Sequence, residues 1–201
     1  DLLIALLKGQ ASTNDIGGLL QSQERVKHRL LRFMENHDEV RLASDFVVGD
    51  GEKAFPAMAV TALVDGNPLM TYFGQELGEL GMDEEGFSGR DGRTTIFDYW
   101  SLSTMREWLL SEGKMKSPLR ARYQSLLELA QRPLFAEGTF YDLNYYQPHF
   151  ANRGLHAFMR AYGEESALVV VNFHGEPQTV EVAIPSHAFE VLSLSSEVAR
   201  V

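Results

Sequence analysis

Three neighbouring polar residues, Asn36, His37 and Asp38, follow a mainly apolar run at positions 30–34, and Arg41 comes three residues later. An apolar run that stops abruptly at polar residues predicts a buried strand whose end opens into a loop. In parallel α/β folds the loops at the carboxyl ends of strands converge on one cleft, where catalytic groups lie. A carboxylate held there can stabilise positive charge that develops in a transition state. Asp38 is therefore the candidate catalytic residue, with Asn36, His37 and Arg41 beside it.

The same cluster has two other interpretations. It could cap the end of a strand without any chemical role. His37 and Asp38 could also belong to a metal site of the phosphohydrolase type, but that class needs several further histidines, usually on helices. The remaining histidines occur in unrelated contexts, at positions 28, 149, 156, 174 and 187. We therefore predict no metal ligands in this cluster.

Helical and strand patterns alternate in the first two thirds of the chain. Apolar spacing and capping residues predict helices at 2–7, 16–26, 53–64, 118–131 and after Ser103, and short buried strands that end at Met34 and span 68–73. Both strands end in polar loops. Strands that alternate with helices in this way predict a parallel sheet with crossover helices, which is an α/β fold.

The pattern changes after Pro133 from helical to alternating. Short strand candidates, separated by turn residues, span 140–143, 155–162, 167–173, 180–184 and 189–194. Strands of this length and spacing predict an antiparallel β-sandwich. We therefore expect two domains, an α/β domain at 1–133 and an all-β domain at 134–201.

Four blocks of the chain resemble, in the same order, parts of the α-amylase family of glycoside hydrolases, known as family 13. Asn36-His37-Asp38 is similar to the end of the family's seventh-strand motif. Residues 66–76, with a Gly-x-Pro turn, an apolar strand and Gly-Gln-Glu, are similar to its eighth-strand block. Residues 118–131 look like its last barrel helix, and 167–173 like part of its C-terminal domain. The resemblance implies the last strands and helices of a (β/α)8 TIM barrel followed by an antiparallel β-sandwich.

The resemblance also implies roles for the residues of the first block. Asp38 would be the third of the family's catalytic carboxylates, which positions the sugar and stabilises charge in the transition state. His37 would bind sugar hydroxyls, Asn36 and Arg41 would complete the substrate-binding loop, and Arg41 could brace it. A fixed carboxylate and imidazole can bind 2-OH and 3-OH groups more strongly as the sugar ring flattens toward an oxocarbenium ion.

The family's other two catalytic carboxylates are missing from this chain. Its nucleophile lies in a Gly-x-Arg-x-Asp pattern and its acid/base is a Glu on the next strand, and neither pattern precedes Asp38. The resemblance therefore implies part of a retaining glycoside hydrolase that acts on α-glucans such as starch, glycogen or maltooligosaccharides, with this chain inactive alone. Hydrolysis and transfer both remain open. The alternative is a non-catalytic carbohydrate- or protein-binding domain of a family relative.

Composition narrows the range of partners. Lys and Arg total 18 against 28 Asp and Glu, a formal charge of −10, so nucleic acid and anionic membranes are not expected partners. The chain has no cysteine, which excludes disulfides, thiolate metal sites and cysteine nucleophiles and leaves the compartment open: cytoplasmic, periplasmic or secreted. It begins at Asp1 without Met, so we expect a soluble piece that either self-associates or pairs with a missing N-terminal part of the barrel.

Two further features have more than one interpretation. The acidic loop at 76–98 could hold calcium through clustered oxygens in the parent enzyme, but its carboxylates have no regular ligand spacing, which favours a solvated loop. We expect no other cofactor. Tyr141, Tyr145 and Tyr146 could form a surface on which sugars stack, whereas packing at a domain junction is the simpler interpretation.

Overall fold

The chain folds into a mixture of helices and short strands. The computed structural model describes residues 1–195 apart from 83, 85, 86, 88 and 99. Its helices are α1 (Leu2–Leu7), α2 (Asp15–Gln23), α3 (Gly51–Leu63), α4 (Ser103–Leu110), α5 (Pro118–Ala130), α6 (Pro133–Ala136) and α7 (Ser186–Val191). Its strands are β1 (Arg32–Phe33), β2 (Leu69–Met70), β3 (Thr139–Asp142), β4 (Leu155–Tyr162) and β5 (Glu165–Asn172). Single 3-10 turns occur at Lys27–Arg29, Gln75–Leu77, Asn144–Tyr146 and Ala151–Arg153. Within the described residues, no helix is both long and apolar enough to cross a membrane.

A parallel pair of strands supports the candidate site. β1 pairs with β2 so that Arg32 is opposite Leu69, and α3 joins the two strands as a parallel crossover requires. α3 begins two residues earlier than predicted because the Asp50 side chain accepts a hydrogen bond from the Glu52 N–H at 2.8 Å. The predicted parallel pairing is confirmed for these two strands, whereas a barrel is not confirmed by the described residues.

The antiparallel sheet packs directly on α3. β3, β4 and β5 form a sheet in that order, with Phe158 on β4 opposite Asp142 and Val169. Phe158 and Val171 lie in one hydrophobic core with buried residues of α3 and α5, among them Met58. The two sides of the predicted boundary after residue 133 therefore share a core, and the boundary itself stays a prediction.

Arg160 on β4 ties α3 to the antiparallel sheet. Its buried guanidinium donates hydrogen bonds to the carbonyl oxygens of Leu63 and Val64 at the end of α3, at 3.2 and 2.5 Å. It also donates to the carbonyls of Phe135 and Gly138, each at 2.7 Å. Burial lowers the pKa of Arg160. Because the last carbonyls of a helix have no partner within the helix, these contacts provide donors for two carbonyls at the end of α3 and place a cation there, while Nε of Arg160 has no hydrogen-bond partner in the described residues.

The predicted strand at 180–184 is not formed. These residues have no regular secondary structure. Val180, Val182 and Ile184 do alternate onto the core that lies against β3 and β4, as the sequence pattern indicates. However, no other strand of the described residues pairs with them, and a row of buried side chains does not by itself create a hydrogen-bonded ladder.

The predicted strand at 189–194 is wrong, because α7 occupies the first half of it. Ala188 and Leu192, four residues apart, are both buried, which is the spacing of one face of a helix. Pro185 precedes the first helical residue, a position that suits its missing N–H.

The predicted β-sandwich is not confirmed, because the described residues contain one antiparallel sheet. Positions 196–201 of the expected second domain lie outside the described part.

Candidate active site

The loop after β1 makes a tight turn that is fixed by one side chain. Oδ1 of Asn36 accepts hydrogen bonds from the N–H groups of Asp38 and Glu39, at 2.8 and 2.9 Å. A side-chain oxygen that accepts from the backbone two and three residues further on closes an Asx turn. Asn36 therefore holds the turn that carries His37 and Asp38.

The turn brings His37 and Asp38 together at the surface. Nε2 of His37 lies 3.3 Å from Oδ2 of Asp38, and the two side chains are 51% and 77% exposed. Both groups can therefore meet a ligand from solvent as a pair, with the carboxylate and the imidazole side by side. The catalytic role of Asp38 and the substrate-binding roles of His37 and Asn36 stay predictions.

Arg41, in contrast, lies inside the loop. Its Nη1 is 2.8 Å from Oε2 of Glu35, and neither side chain is exposed by more than 2%. The other carboxylate oxygen of Glu35 accepts from the N–H of Leu42 at 2.7 Å, and Nε of Arg41 donates to Oγ1 of Thr94 at 3.1 Å. Burial raises the pKa of Glu35, against the opposing charge and hydrogen bond of Arg41. Arg41 therefore braces the loop from within, and its contact with a substrate stays a prediction.

Tyr72 joins this loop to β2 and was missed in the sequence. Its ring centre lies 4.5 Å from Cζ of Arg41, a cation–π contact, and its hydroxyl donates to the carbonyl of Thr94 at 2.9 Å. Burial raises the pKa of Tyr72, although the charge of Arg41 acts in the opposite direction. The signal that could have found it is its position near the end of the predicted strand at 68–73, two residues beyond the observed β2.

Arg93 is a second arginine, besides Arg41, that lies near the loop with the exposed His37–Asp38 pair. Its backbone pairs with Val40 in an isolated antiparallel bridge. The hydrogen bond and charge of Asp91 raise the pKa of Arg93, and the charge of Asp38 adds a smaller increase. No local pattern could have indicated Arg93, because it reaches the site through contact between distant parts of the chain.

Gln75, in the Gly-Gln-Glu block, turns away from the loop into the core. It is 2% exposed. Its amide nitrogen donates to the hydroxyl of Tyr123 at 3.1 Å, and its amide oxygen accepts from the N–H of Tyr72 at 3.2 Å. Gln75 therefore fixes the chain after β2 and does not face a ligand.

The acidic loop offers no metal site among the residues that the structure describes. No three carboxylate or imidazole groups of that part of the chain converge at a metal-binding distance. The buried carboxylate of Glu79 instead accepts hydrogen bonds from the N–H groups of Leu80 and Met105, at 3.1 Å each. Two of the loop's carboxylates, Asp83 and Glu85, lie outside the described residues.

Comparison with solved structures finds a match to the crystal structure of an acarbose-soaked debranching enzyme from Nostoc punctiforme. The alignment covers 82% of this chain with a TM-score of 0.55 and 17% sequence identity. The fold is similar to part of a debranching enzyme. The chain spans only 30% of the length of that protein, and a likeness at this identity shows the fold and not the roles of residues. No protein-family model matches the chain, and no curated protein matches it in sequence.

Proposed function

We propose that this chain is the C-terminal portion of an α-amylase-type glycoside hydrolase that acts on α-glucans by a retaining mechanism. The observation that carries the proposal is the exposed His37–Asp38 pair, which follows β1 of a parallel β–α–β unit. Polar side chains at the carboxyl ends of parallel strands are where such folds place their chemistry. The similarity to a debranching enzyme supports a glycosidase-related fold.

Under this proposal Asp38 acts through its charge. Retaining glycosidases form and break a covalent glycosyl intermediate through oxocarbenium-like transition states. The Asp38 carboxylate stabilises that cation, and the imidazole of His37 binds a neighbouring sugar hydroxyl. The nucleophile and the acid/base are two further carboxylates, about 5 Å apart, that the missing N-terminal part of the protein supplies.

Two clefts adjoin the two-stranded sheet, one at β1 and one at the residues that follow β2. A cavity of about 330 Å³ lies beside β1 and is lined by Leu3, Ile16, Phe33, Met34 and other residues. A second cavity of about 490 Å³ adjoins residues 71–73, which follow β2, and its lining includes Tyr123 and Leu127 as well as polar residues such as Glu76, Arg120 and Gln124. Unpaired strand edges next to open clefts are surfaces that other strands cover in a closed barrel. We therefore propose the N-terminal part of the same barrel as their occupant, with self-association as the competing outcome.

A second candidate function follows from the missing carboxylates. If the residues that precede this chain in its gene also lack the nucleophile and acid/base, the exposed pair serves a non-catalytic carbohydrate- or protein-binding domain. The upstream sequence separates the two candidates directly, because a retaining mechanism cannot operate with one carboxylate.

Reconstitution tests the proposal. The purified 201-residue chain is incubated with a chromogenic maltooligosaccharide, first alone and then with the separately expressed N-terminal part of its natural protein. We expect no hydrolysis by the chain alone and activity after the addition. Activity of the chain alone contradicts the assignment of roles, and inactivity of the natural full-length protein on every α-glucan favours the binding domain.

A further inference from the structure

A groove outside the candidate active site runs between α2 and β3. This α2–β3 groove has a volume of about 790 Å³, and its lining includes Asn14, Gly17, Gly18, Gln21, Asp142 and Tyr145. None of the residues of the loop at 35–41 lines it. Its polar lining groups are amides and carboxylates, without Lys or Arg, so it suits neutral hydroxyl groups and repels anions.

Two adjacent glycines inside α2 form one wall of the groove. A Cβ at Gly17 would lie 2.2 Å from Oδ2 of Asp142, so only glycine allows the carboxylate to approach the helix so closely. A Cβ at Gly18 would have no atom within 4 Å, so packing does not require glycine there. Glycine in a helix is unfavourable relative to other residues. Its presence at Gly18 leaves the groove open at a cost to the stability of the helix.

Tyr145 presents an exposed aromatic ring whose hydroxyl is fixed by a hydrogen bond to a buried tyrosine. The residue is 64% exposed, yet its hydroxyl lies 2.6 Å from the hydroxyl of Tyr141, which is 8% exposed. The Tyr141 hydroxyl in turn lies 3.1 Å from Nδ1 of His187. An exposed ring whose orientation is fixed by such a chain of hydrogen bonds loses little conformational entropy when a flat ligand stacks on it.

The ends of the groove are also rigid. The side-chain amide of Asn144 donates to Oδ1 of Asn14 at 3.0 Å, which ties the start of α2 to the sheet, and its oxygen accepts from the N–H of Ala157 at 2.9 Å.

Oδ1 of Asp142 accepts from the N–H of Asn144 at 2.9 Å, whereas no donor among the described residues reaches its Oδ2. Burial raises the pKa of Asp142. One carboxylate oxygen is therefore left to accept from a ligand.

We propose that the α2–β3 groove is a second binding site, for a neutral α-glucan oligosaccharide. A sugar face stacks on Tyr145, and hydroxyl groups bind to Asp142 and Gln21. The groove itself points to a neutral, hydroxyl-rich ligand, and the choice of an α-glucan among such ligands rests on the proposed function. A site of this kind would hold a long substrate on the surface while its end is processed elsewhere.

The test uses maltoheptaose as probe and the full natural protein with Asp38→Asn, so that the probe is not consumed. Hydrogen exchange of the backbone reports where the probe binds, and calorimetry reports its affinity. We expect protection at residues 17–21 and 140–146, separate from any protection at 35–41. Gly18→Gln and Tyr145→Ala should each remove the groove protection and weaken binding at that site about tenfold or more.

Two controls keep the result interpretable. Gly18→Gln replaces a helical glycine by a better helix former, so its melting temperature should rise, which separates a blocked groove from a misfolded chain. Tyr162→Ala removes a tyrosine that is 44% exposed and does not line the groove, and it should leave binding unchanged.

The outcomes separate this inference from the proposed function. Protection at 35–41 without protection at 17–21 overturns the groove site and leaves the proposed function standing. Protection at 17–21 alone supports the groove site and counts against the proposed function, and absence of protection at both overturns both. Two further results overturn the inference. One is groove protection that persists in Gly18→Gln. The other is groove protection that appears without sugar as the protein concentration rises, which means that a second copy of this chain occupies the groove.

Discussion

Arg41 and Glu35 form a buried ion pair, with Nη1 and Oε2 2.8 Å apart, in the same loop that exposes His37 and Asp38. The loop thus contains a buried ion pair and an exposed imidazole–carboxylate pair. The inner pair cannot reach solvent and holds the loop against the segment that contains Thr94. The outer pair is exposed to solvent and can meet a ligand. Glu35 and Arg41 therefore hold the loop in place, and two different side chains, His37 and Asp38, face solvent.

Removal of Arg41 should destabilise the protein strongly. Arg41→Met leaves the Glu35 carboxylate buried without its cation, and breaking a buried pair in this way costs about 3–5 kcal/mol. The double variant Glu35→Gln with Arg41→Met should recover most of that loss, because the glutamine oxygen can still accept from the N–H of Leu42. Urea denaturation at neutral pH measures both. A loss below about 1 kcal/mol in the single variant, as surface pairs show, contradicts the account.

In the full natural protein, Asp38→Asn should abolish most activity without unfolding the chain. The amide is nearly the same size but lacks the negative charge that opposes a developing cation, so we expect kcat/KM on maltooligosaccharides to fall by about a thousandfold or more. The side chain is 77% exposed, so the melting temperature should hardly change. Glu39→Gln, an exposed carboxylate next along the turn, is the matched control. Near-normal turnover by Asp38→Asn would show that Asp38 has no catalytic role.

Asn36 should act through the turn that it closes. Asn36→Ala removes the acceptor of two backbone hydrogen bonds, and we expect a loss of about 1 kcal/mol in stability together with a lower kcat of the full natural protein. Asn36→Asp retains an oxygen at the same place and should restore both. If Asn36→Asp is as impaired as Asn36→Ala, the side chain contacts the substrate through its amide nitrogen and the turn is not its main role.

The strands that were predicted well are those whose sequence pattern matches their local surroundings in the fold. On β4 and β5 the predicted strands at 155–162 and 167–173 agree with the ladder, because hydrogen-bonded neighbours lie next to each other in the chain. Val180, Val182 and Ile184 show what a local sequence pattern cannot predict. Their alternation correctly indicated burial on one side, but the absence of a partner strand depends on the whole fold.

The residues of the candidate site also fall into two groups, those that a local sequence pattern predicts and those that it does not. Asn36, His37 and Asp38 could be found because the end of an apolar run marks the end of a strand. The burial of Glu35 could not be predicted, since a polar side chain is expected to be exposed unless the position of Arg41 is known. Arg93 reaches the loop only through its bridge to Val40, and no local pattern encodes that approach.

His156 on β4 should make the protein sensitive to acid. Its ring is fully buried, neither nitrogen has a hydrogen-bond partner in the described residues, and burial lowers its pKa from 6.5 to about 4. Between these two values the unfolded chain binds a proton at His156 that the folded chain does not bind. The free energy of unfolding must therefore fall as the pH falls through this window, by about 3 kcal/mol in total. Well above pH 6.5, where the imidazole is neutral in both states, the residue contributes no pH dependence.

His156→Leu should remove this acid sensitivity. Leucine fills a similar volume without buried nitrogens, so we expect stability at neutral pH to be equal or higher and the decline between pH 6.5 and 4 to be smaller by about 3 kcal/mol. Urea denaturation at a series of pH values measures the difference, with His28→Gln, at an exposed position, as the control. Parallel pH profiles for the parent and His156→Leu would mean that the folded protein protonates His156 as readily as the unfolded chain does. In that case water or a rearranged side chain must reach the imidazole, and the packing of β4 against the core would have to be looser than the buried ring indicates.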